Sequence, residues 1–390
     1  MSRRTRRRAP GGAALALSVL SLAACGSSAP APAAPRAPSI PTPLATSVQT
    51  PSGTWATVAM GHLEQPLNTF WQLLFRPAAG ATWSNHVQAT AVATNGGLVL
   101  ASDGSGLAVG VRPTNLLMFS PLIFTSDAGR SWSTGLLSQG LAASPDALAA
   151  DSATHLLALA SARRQQLVLQ STTGLSGWRT STSAAALGAT APGQACGLAT
   201  LTAVAYAAGT PLAGGSCSRP GVIGVFAARG GGWGLLDAAA PSALAHERIE
   251  VLALHGASAG AAVLLGVSDG SSSSLVAARF GAGRWSVSEP LAVSGSEHLS
   301  SIAAAGEGGF FALLGGSSPQ PQLYLASTAG WRQLPPPPAG TATVALGPAS
   351  SVEALAVKEA VLSIWTLAVR GRAWAHRQTM RVPIEYGSSE

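Results

Sequence analysis

Thr125-Ser126-Asp127-Ala128-Gly129-Arg130-Ser131-Trp132 is the sharpest local signal in the chain. It follows the apolar run Leu122-Ile123-Phe124 and reads as strand end, tight turn and strand start. The Asp127 carboxylate can accept hydrogen bonds from the N–H groups of the turn. Gly129 supplies the positive φ that such turns need. Trp132 opens the next strand, where a large apolar ring can pack on a neighbouring sheet.

The same arrangement recurs along the chain. Seven of the ten tryptophans follow a short apolar run and a small-residue turn: Trp83, Trp132, Trp178, Trp233, Trp285, Trp331 and Trp374, at gaps of 49, 46, 55, 52, 46 and 43 residues. Within a unit the pattern predicts further strands. In the fifth these are Ile249–Leu254, Ala261–Val267 and Leu275–Phe280, with Trp285 opening the last. In the sixth they are His298–Ala305, Phe310–Leu314 and Leu323–Ser327, then Trp331 onward. Short strands with Gly-rich turns predict an all-β fold. The unit length is that of one blade of a β-propeller. The expectation is a seven-bladed β-propeller of four-stranded antiparallel blades.

The Thr125–Trp132 segment resembles the Asp-box (BNR repeat) of sialidase-like β-propellers, whose pattern is S/T-x-D-x-G-x-S/T-W. Thr125, Asp127, Gly129, Ser131 and Trp132 match it. Gly80–Trp83 keeps its second half, and Ser171–Trp178 keeps its length with Thr173 in the aspartate position. The resemblance runs through all seven units, but one copy alone carries the full motif. In that family the Asp-box is a structural turn on the outside of a blade, so it bears on fold and not on chemistry.

The first unit is short. Ahead of Trp83 the pattern predicts two strands, near Thr54–Met60 and Thr69–Arg76. Thr90–Thr94 reads as the inner strand of the second unit. By the same spacing Arg381–Tyr386, after the last tryptophan, is expected to supply the innermost strand of the first. Pairing the N- and C-terminal segments in one sheet would remove two open edges, with Pro383 tolerable on a channel-lining strand.

The N-terminus has the zones of an export signal. Arg3, Arg4, Arg6, Arg7 and Arg8 precede the uncharged run Ala13–Ala24, which at 12 residues is too short to span a bilayer. Leu22-Ala23-Ala24-Cys25 then resembles the bacterial lipobox, in which the signal is removed and the cysteine carries diacylglycerol and palmitate. The expected organisation is a lipoprotein signal peptide over 1–24, a lipid-attached Pro/Ala-rich tether over 25–53 and the propeller over 54–390. The expected location is the extracytoplasmic face of the cell membrane, anchored at Cys25. Cleavage also changes the charge. The chain has 23 basic and 16 acidic residues, and five of the arginines lie in the signal, leaving 18 against 16. That near balance gives no argument for nucleic-acid binding.

Cys196 and Cys217 bracket a predicted hairpin turning near Ala208-Gly209-Thr210, which favours a disulfide outside the cytoplasm. The seven histidines, His62, His86, His155, His246, His255, His298 and His376, show no ligand spacing, and neither a metal nor a cofactor is expected. Asp103-Gly104 and Asp269-Gly270 read as hairpin turns.

The sialidase family also implies a chemistry: three arginines on a substrate carboxylate, a tyrosine nucleophile paired with a glutamate, and an aspartate acid/base. Phe75-Arg76-Pro77 is similar to its F-R-I-P motif but lacks the isoleucine. Tyr206, Tyr324 and Tyr386 are the three tyrosines, and Tyr386 beside Glu385 is the late candidate. The two positioned acid–base groups of a retaining hydrolase are not recognisable. The sequence therefore favours a monomeric, non-catalytic scaffold binding an envelope protein or glycan through its loops. The photosystem assembly propellers show that such a fold can serve assembly. The alternative is a sialidase-like glycoside hydrolase or glycan-binding protein. The two differ at the channel mouth, where an enzyme should gather Arg, Glu and Asp.

Overall fold

A computed structural model describes residues 40–382, apart from 62–68, 81, 87–94, 113–120, 138–142, 163–164, 238–240, 258–259, 307, 317, 319 and 369. The regular structure of the described chain is almost all strand, in successive antiparallel sets of four. The first set is β1 (Ala45–Thr50), β2 (Gly53–Gly61), β3 (Thr69–Pro77) and β4 (Ser84–Asn85). The second is β5 (Leu98–Ser102), β6 (Leu107–Val111), β7 (Pro121–Thr125) and β8 (Ser133–Leu136). The third is β9 (Ser144–Ala150), β10 (Leu156–Ala162), β11 (Gln165–Ser171) and β12 (Arg179–Ser183). Two short helices, α1 (Ala184–Gly188) and α2 (Ala191–Cys196), lead to β13 (Leu198–Ala207), β14 (Thr210–Cys217), β15 (Val225–Arg229) and β16 (Gly232–Leu235). Then come β17 (Arg248–Ala257), β18 (Gly260–Ser268), β19 (Ser273–Gly281) and β20 (Arg284–Val287), with β21 (Leu291–Val293) added beside β19. The last sets are β22 (His298–Ala305), β23 (Gly309–Gly315), β24 (Gln322–Ser327), β25 (Gly330–Gln333) and β26 (Thr341–Leu346), β27 (Val352–Lys358), β28 (Val361–Leu367), β29 (Ala375–Arg381).

Each repeat tryptophan directly precedes the outermost strand of its set or is the second residue of it. Strands in the middle of a set are buried on both faces, as β18 is from Ala261 to Ser268. They are therefore near-continuous apolar runs instead of alternating ones. The core lies between neighbouring sheets. Trp55, Leu73 and Phe75 of the first set pack on Leu98, Leu107, Val109 and Ile123 of the second. Each such large side chain contributes about 1.5–3 kcal/mol on burial.

The start of the fold differs from the expectation. The innermost strand of the first set is β1, inside the stretch 25–53 read as tether, and Ile40 ahead of it is already buried. The set has three strands before Trp83, not two. Thr46, Val48 and Thr50 alternate with Ala45, Ser47 and Gln49, and Pro51-Ser52 turns the chain into β2. β1 also pairs in parallel with β22, Ala45 opposite Ser301 and Ser47 opposite Ala303. With β1 beside β2, the inner position foreseen for residues 381–386 is taken. Arg381 instead ends β29, opposite Val361, and 383–386 lie outside the described residues. So do Thr90–Thr94, and the innermost described strand of the second set is β5.

The first and last sets meet through side chains. Ala56, Val58, Met60, Leu74 and Trp83 share a cluster with Ala345, Leu355, Leu362, Ile364 and Val382. Arg76 and Glu353 form a buried ion pair across this junction at 2.9 Å. Thr343 Oγ1 donates to the Thr57 carbonyl at 2.7 Å. Elsewhere, Cys196 and Cys217 are joined in a disulfide with Cα atoms 5.0 Å apart, closing the open end of the β13–β14 hairpin opposite its Ala208-Gly209 turn. Closing this loop stabilises the fold by about 3 kcal/mol in the chain-entropy picture.

Candidate functional site: the channel between inner strands

The inner strands β1, β5, β9, β13, β17 and β22 surround an elongated cavity. They run the same way along it. Their early residues, such as Leu98, Asp146 and Leu201, line one end, about 320 Å³ in volume. Their late residues, such as Ser102, Ala150 and Tyr206, line the other, about 440 Å³. Leu100, Leu148, Val204, Leu254 and His255 border both and form the waist. Thr42, Pro43 and Leu44 lie in the first mouth, so the chain enters the fold through that end.

The first end is mainly aliphatic and small-residue surface, whereas Ser47, Gln49, Ser102 and Tyr206 make the far end more polar. At the first mouth Arg112, just after β6, meets Asp146 of β9 at 3.4 Å, and both remain about one-quarter exposed. Asp146 also accepts from the Ser161 hydroxyl. Burial pushes its carboxyl above the ordinary range, against the pull of Ser161 and Arg112. At the waist the His255 ring lies against Phe310, centroids 5.3 Å apart. Burial lowers its pKa to about 4, so the imidazole is neutral near pH 7.

Burial raises the pKa of both tyrosines among the described residues. Tyr206, toward the far end of the channel, is pushed up to about 12 by burial; Gln170 lowers it and Asp151 raises it further. Tyr324 is raised by burial and by Glu297, and its hydroxyl donates to Gln322 Oε1 at 2.6 Å. Tyr386 and Glu385 lie outside the described residues. Arg76, from the Phe75-Arg76-Pro77 motif, is buried against Glu353 between the first and last sheets, away from the channel lining.

The Thr125–Trp132 turn sits between β7 and β8 and is built on Asp127. One carboxylate oxygen accepts the Ser131 N–H at 2.9 Å and the other its hydroxyl at 2.6 Å. Thr125 Oγ1 donates to the carboxylate at 2.9 Å and accepts the Gly129 N–H at 2.9 Å. The Trp132 indole donates to the Gly129 carbonyl at 3.1 Å. The copy ending at Trp178 keeps that last bond, to Leu175 at 3.1 Å, but Thr173 there donates to the Ser176 carbonyl. The turn also packs on the preceding sheet. Gly129 has φ near 80°, and a Cβ on it would lie 2.7 Å from His86 Nδ1 and 3.0 Å from the Trp55 ring. Sequence alone did not place His86 or Trp55 at this contact. Trp331 and Trp374 reach further, donating to carbonyls 42 and 39 residues back, Glu289 and Pro335.

Asp103 and Asp269 spend their oxygens on turn groups, the N–H of Ser105 and Gly106 in one case and of Ser271 and Ser272 in the other. Among the described residues no three His, Cys, Asp or Glu side chains converge as metal ligands. Cys25 lies outside the described residues.

No protein-family model matches the chain, and no curated protein matches it. Solved structures do. The β-propeller domain of the Trilobed protease from Pyrococcus furiosus is 7% identical, over 86% of this chain and 96% of that one, with a TM-score of 0.49. YCF48 from Cyanidioschyzon merolae is 14% identical over 82% and 94%, with a TM-score of 0.48. A puromycin-hydrolyzing peptidase from Mycobacterium tuberculosis is 11% identical with a TM-score of 0.50; the match covers 88% of this chain and 55% of that one. At these identities the likeness is one of fold: an all-β chain with β-propeller neighbours.

Proposed function

We propose that this protein is a lipid-anchored, non-catalytic binding scaffold of the cell envelope. In this reading the signal is cut before Cys25, lipid on that cysteine holds the chain at the extracytoplasmic face, and the four-stranded sets are the blades of a seven-bladed propeller. The turn at Asp127 is its one full Asp-box. The propeller works as a monomer without cofactor, and an envelope protein or glycan engages the channel mouth.

The observation that carries this reading is the make-up of that mouth. Among the described residues its charged groups are Arg112 and Asp146, which pair with each other, amid Leu98, Leu100, Leu201 and Leu252. A sialidase-like site would need several free arginines and two acid–base groups there. A wall of apolar surface with one oriented polar pair is instead the usual form of a binding site.

Two measurements test it. Cys25→Ala should leave the precursor uncut or release the protein from membranes; unchanged fractionation and maturation would remove the anchor from the proposal. A photoreactive side chain at Thr202, in the mouth, should give one discrete adduct in intact cells, lost on Arg112→Ala. Turnover of sialosides or other glycosides by the purified protein would make it an enzyme instead.

A further inference from the structure

The outer edge of the last sheet carries a concentration of positive charge that the other described sheets lack. Arg370, Arg372, Arg377 and Arg381 fall within 12 residues that hold no acid. All four are exposed, as is His376 among them. Among the described residues none of the four has an acidic partner within ion-pair distance. From residue 40 onward the chain has 17 basic and 16 acidic residues; without these four it has 13 against 16, Glu385 and Glu390 of the tail included. The segment therefore opposes a body of the other sign.

Protection of an open sheet edge explains a charge or two, and the other outer strands show what that takes. β4, β8 and β16 have no arginine, and β12, β20 and β25 have one each. β29 has two, with two more on the turn before it. Apolar surface accompanies the excess. Leu362 and Ile364 point into the junction with the first sheet, so by strand alternation Val361 and Trp365 point the other way. Val361 is 37% exposed, one of two exposed large hydrophobics among the described residues, and lies opposite Arg381. Trp365, outside the repeat series, is half-buried and set edge-on to His376 at 4.9 Å.

We propose that this edge docks on an anionic phospholipid surface, the arginines among headgroups and Val361 and Trp365 at the interface. The proposal builds on the membrane location above but not on the lipid itself. Arginines next to an aromatic and an aliphatic side chain match a surface that is negative outside and apolar just beneath. Fifteen residues separate Cys25 from Ile40 and span at most about 50 Å when extended.

The test uses the mature-length chain, residues 25–390, carrying Cys25→Ala so that no lipid is attached. It is sedimented with vesicles of phosphatidylcholine alone or with about a quarter phosphatidylglycerol. Binding is expected to the mixed vesicles only and to weaken as salt is raised. Replacing Arg370, Arg372, Arg377 and Arg381 by Gln should lower the partition coefficient at least tenfold, since each arginine near such a surface is worth about fivefold. A control with Arg179, Arg229, Arg284 and Arg332 changed to Gln loses the same charge and should keep binding. No binding to the mixed vesicles, equal loss in both variants, or indifference to headgroup would overturn the proposal. Because the tested chain carries no lipid, these outcomes are independent of whether Cys25 is acylated.

Discussion

Gln378 clasps the backbone of Trp83: its side-chain oxygen accepts the Trp83 N–H at 2.7 Å and its amide donates to the Trp83 carbonyl at 2.9 Å. The two residues are 295 positions apart and join β29 to the segment before β4. A glutamine side chain here satisfies a donor and an acceptor that a partner strand would otherwise satisfy. Gln166 treats the backbone of Leu201 in the same way between β11 and β13, at 2.9 Å for both bonds.

Gln378→Ala should therefore destabilise the protein by about 1–3 kcal/mol, because it leaves two partly buried backbone groups unpaired. Gln378→Glu keeps the acceptor and loses the donor, and should fall between the two. Urea unfolding of the three proteins checks this order. A Gln378→Ala variant as stable as the wild type would show that the junction rests on its apolar cluster alone.

Arg76 and Glu353 are the second fastening of the same junction. Both side chains are 3% exposed, and the guanidinium also donates to Thr54 Oγ1 at 2.8 Å while lying over the Trp83 ring. Burial pushes the Glu353 carboxyl upward, and Arg76 opposes it. Removing one partner leaves an uncompensated buried charge, which costs about 3–5 kcal/mol. Glu353→Leu and Arg76→Met should each show a loss of that size, and the double variant should recover most of it. Strictly additive losses in a double-mutant cycle would mean that the two charges are not coupled.

The junction was not legible in the sequence, and the reason is physical. Strand patterns are local, so the turns and tryptophans announced the sets of four, and the fifth and sixth were placed nearly residue by residue. β1 escaped because Ala45-Thr46-Ser47-Val48-Gln49-Thr50 has one large apolar side chain and continues a Pro/Ala-rich stretch; its signal was the Thr-x-Val-x-Thr alternation before Pro51. Gln378 and Glu353 are single polar residues within strands, and no spacing marks their partners. The channel lining is equally silent, since Leu148 or Val204 reads like any other strand residue.

Asp127, by contrast, was legible, because its turn is built from neighbours. Asp127→Ala should lower the urea midpoint while leaving binding at the channel mouth unchanged in the folded protein. The Ser131 hydroxyl and N–H hold its pKa down at about 2 against an ordinary 3.8. A depressed acid contributes stability above its unfolded value and loses it as pH falls through the folded one. Its contribution is therefore full above about pH 4 and gone below about pH 2. Thermal melts through that window should show a decline that is smaller in Asp127→Asn. Selective loss of binding at unchanged stability would instead give the turn a direct functional part.

His255 adds a pH response of the same direction, nearer neutrality. Its ring is held neutral by the channel walls and Phe310, with a pKa of about 4 against 6.5 in an open chain. The unfolded chain thus binds a proton between these values that the folded one refuses. Stability from this group is complete above about pH 6.5 and is lost as pH falls toward 4. The shift corresponds to about 3 kcal/mol at most. Because the ring borders a channel and not a sealed core, about 1–3 kcal/mol is expected. Urea unfolding at about pH 7 and pH 4 should show this extra loss in the wild type and not in His255→Gln. A variant whose stability falls in parallel with the wild type would mean that the waist of the channel is wet and the ring titrates as in water.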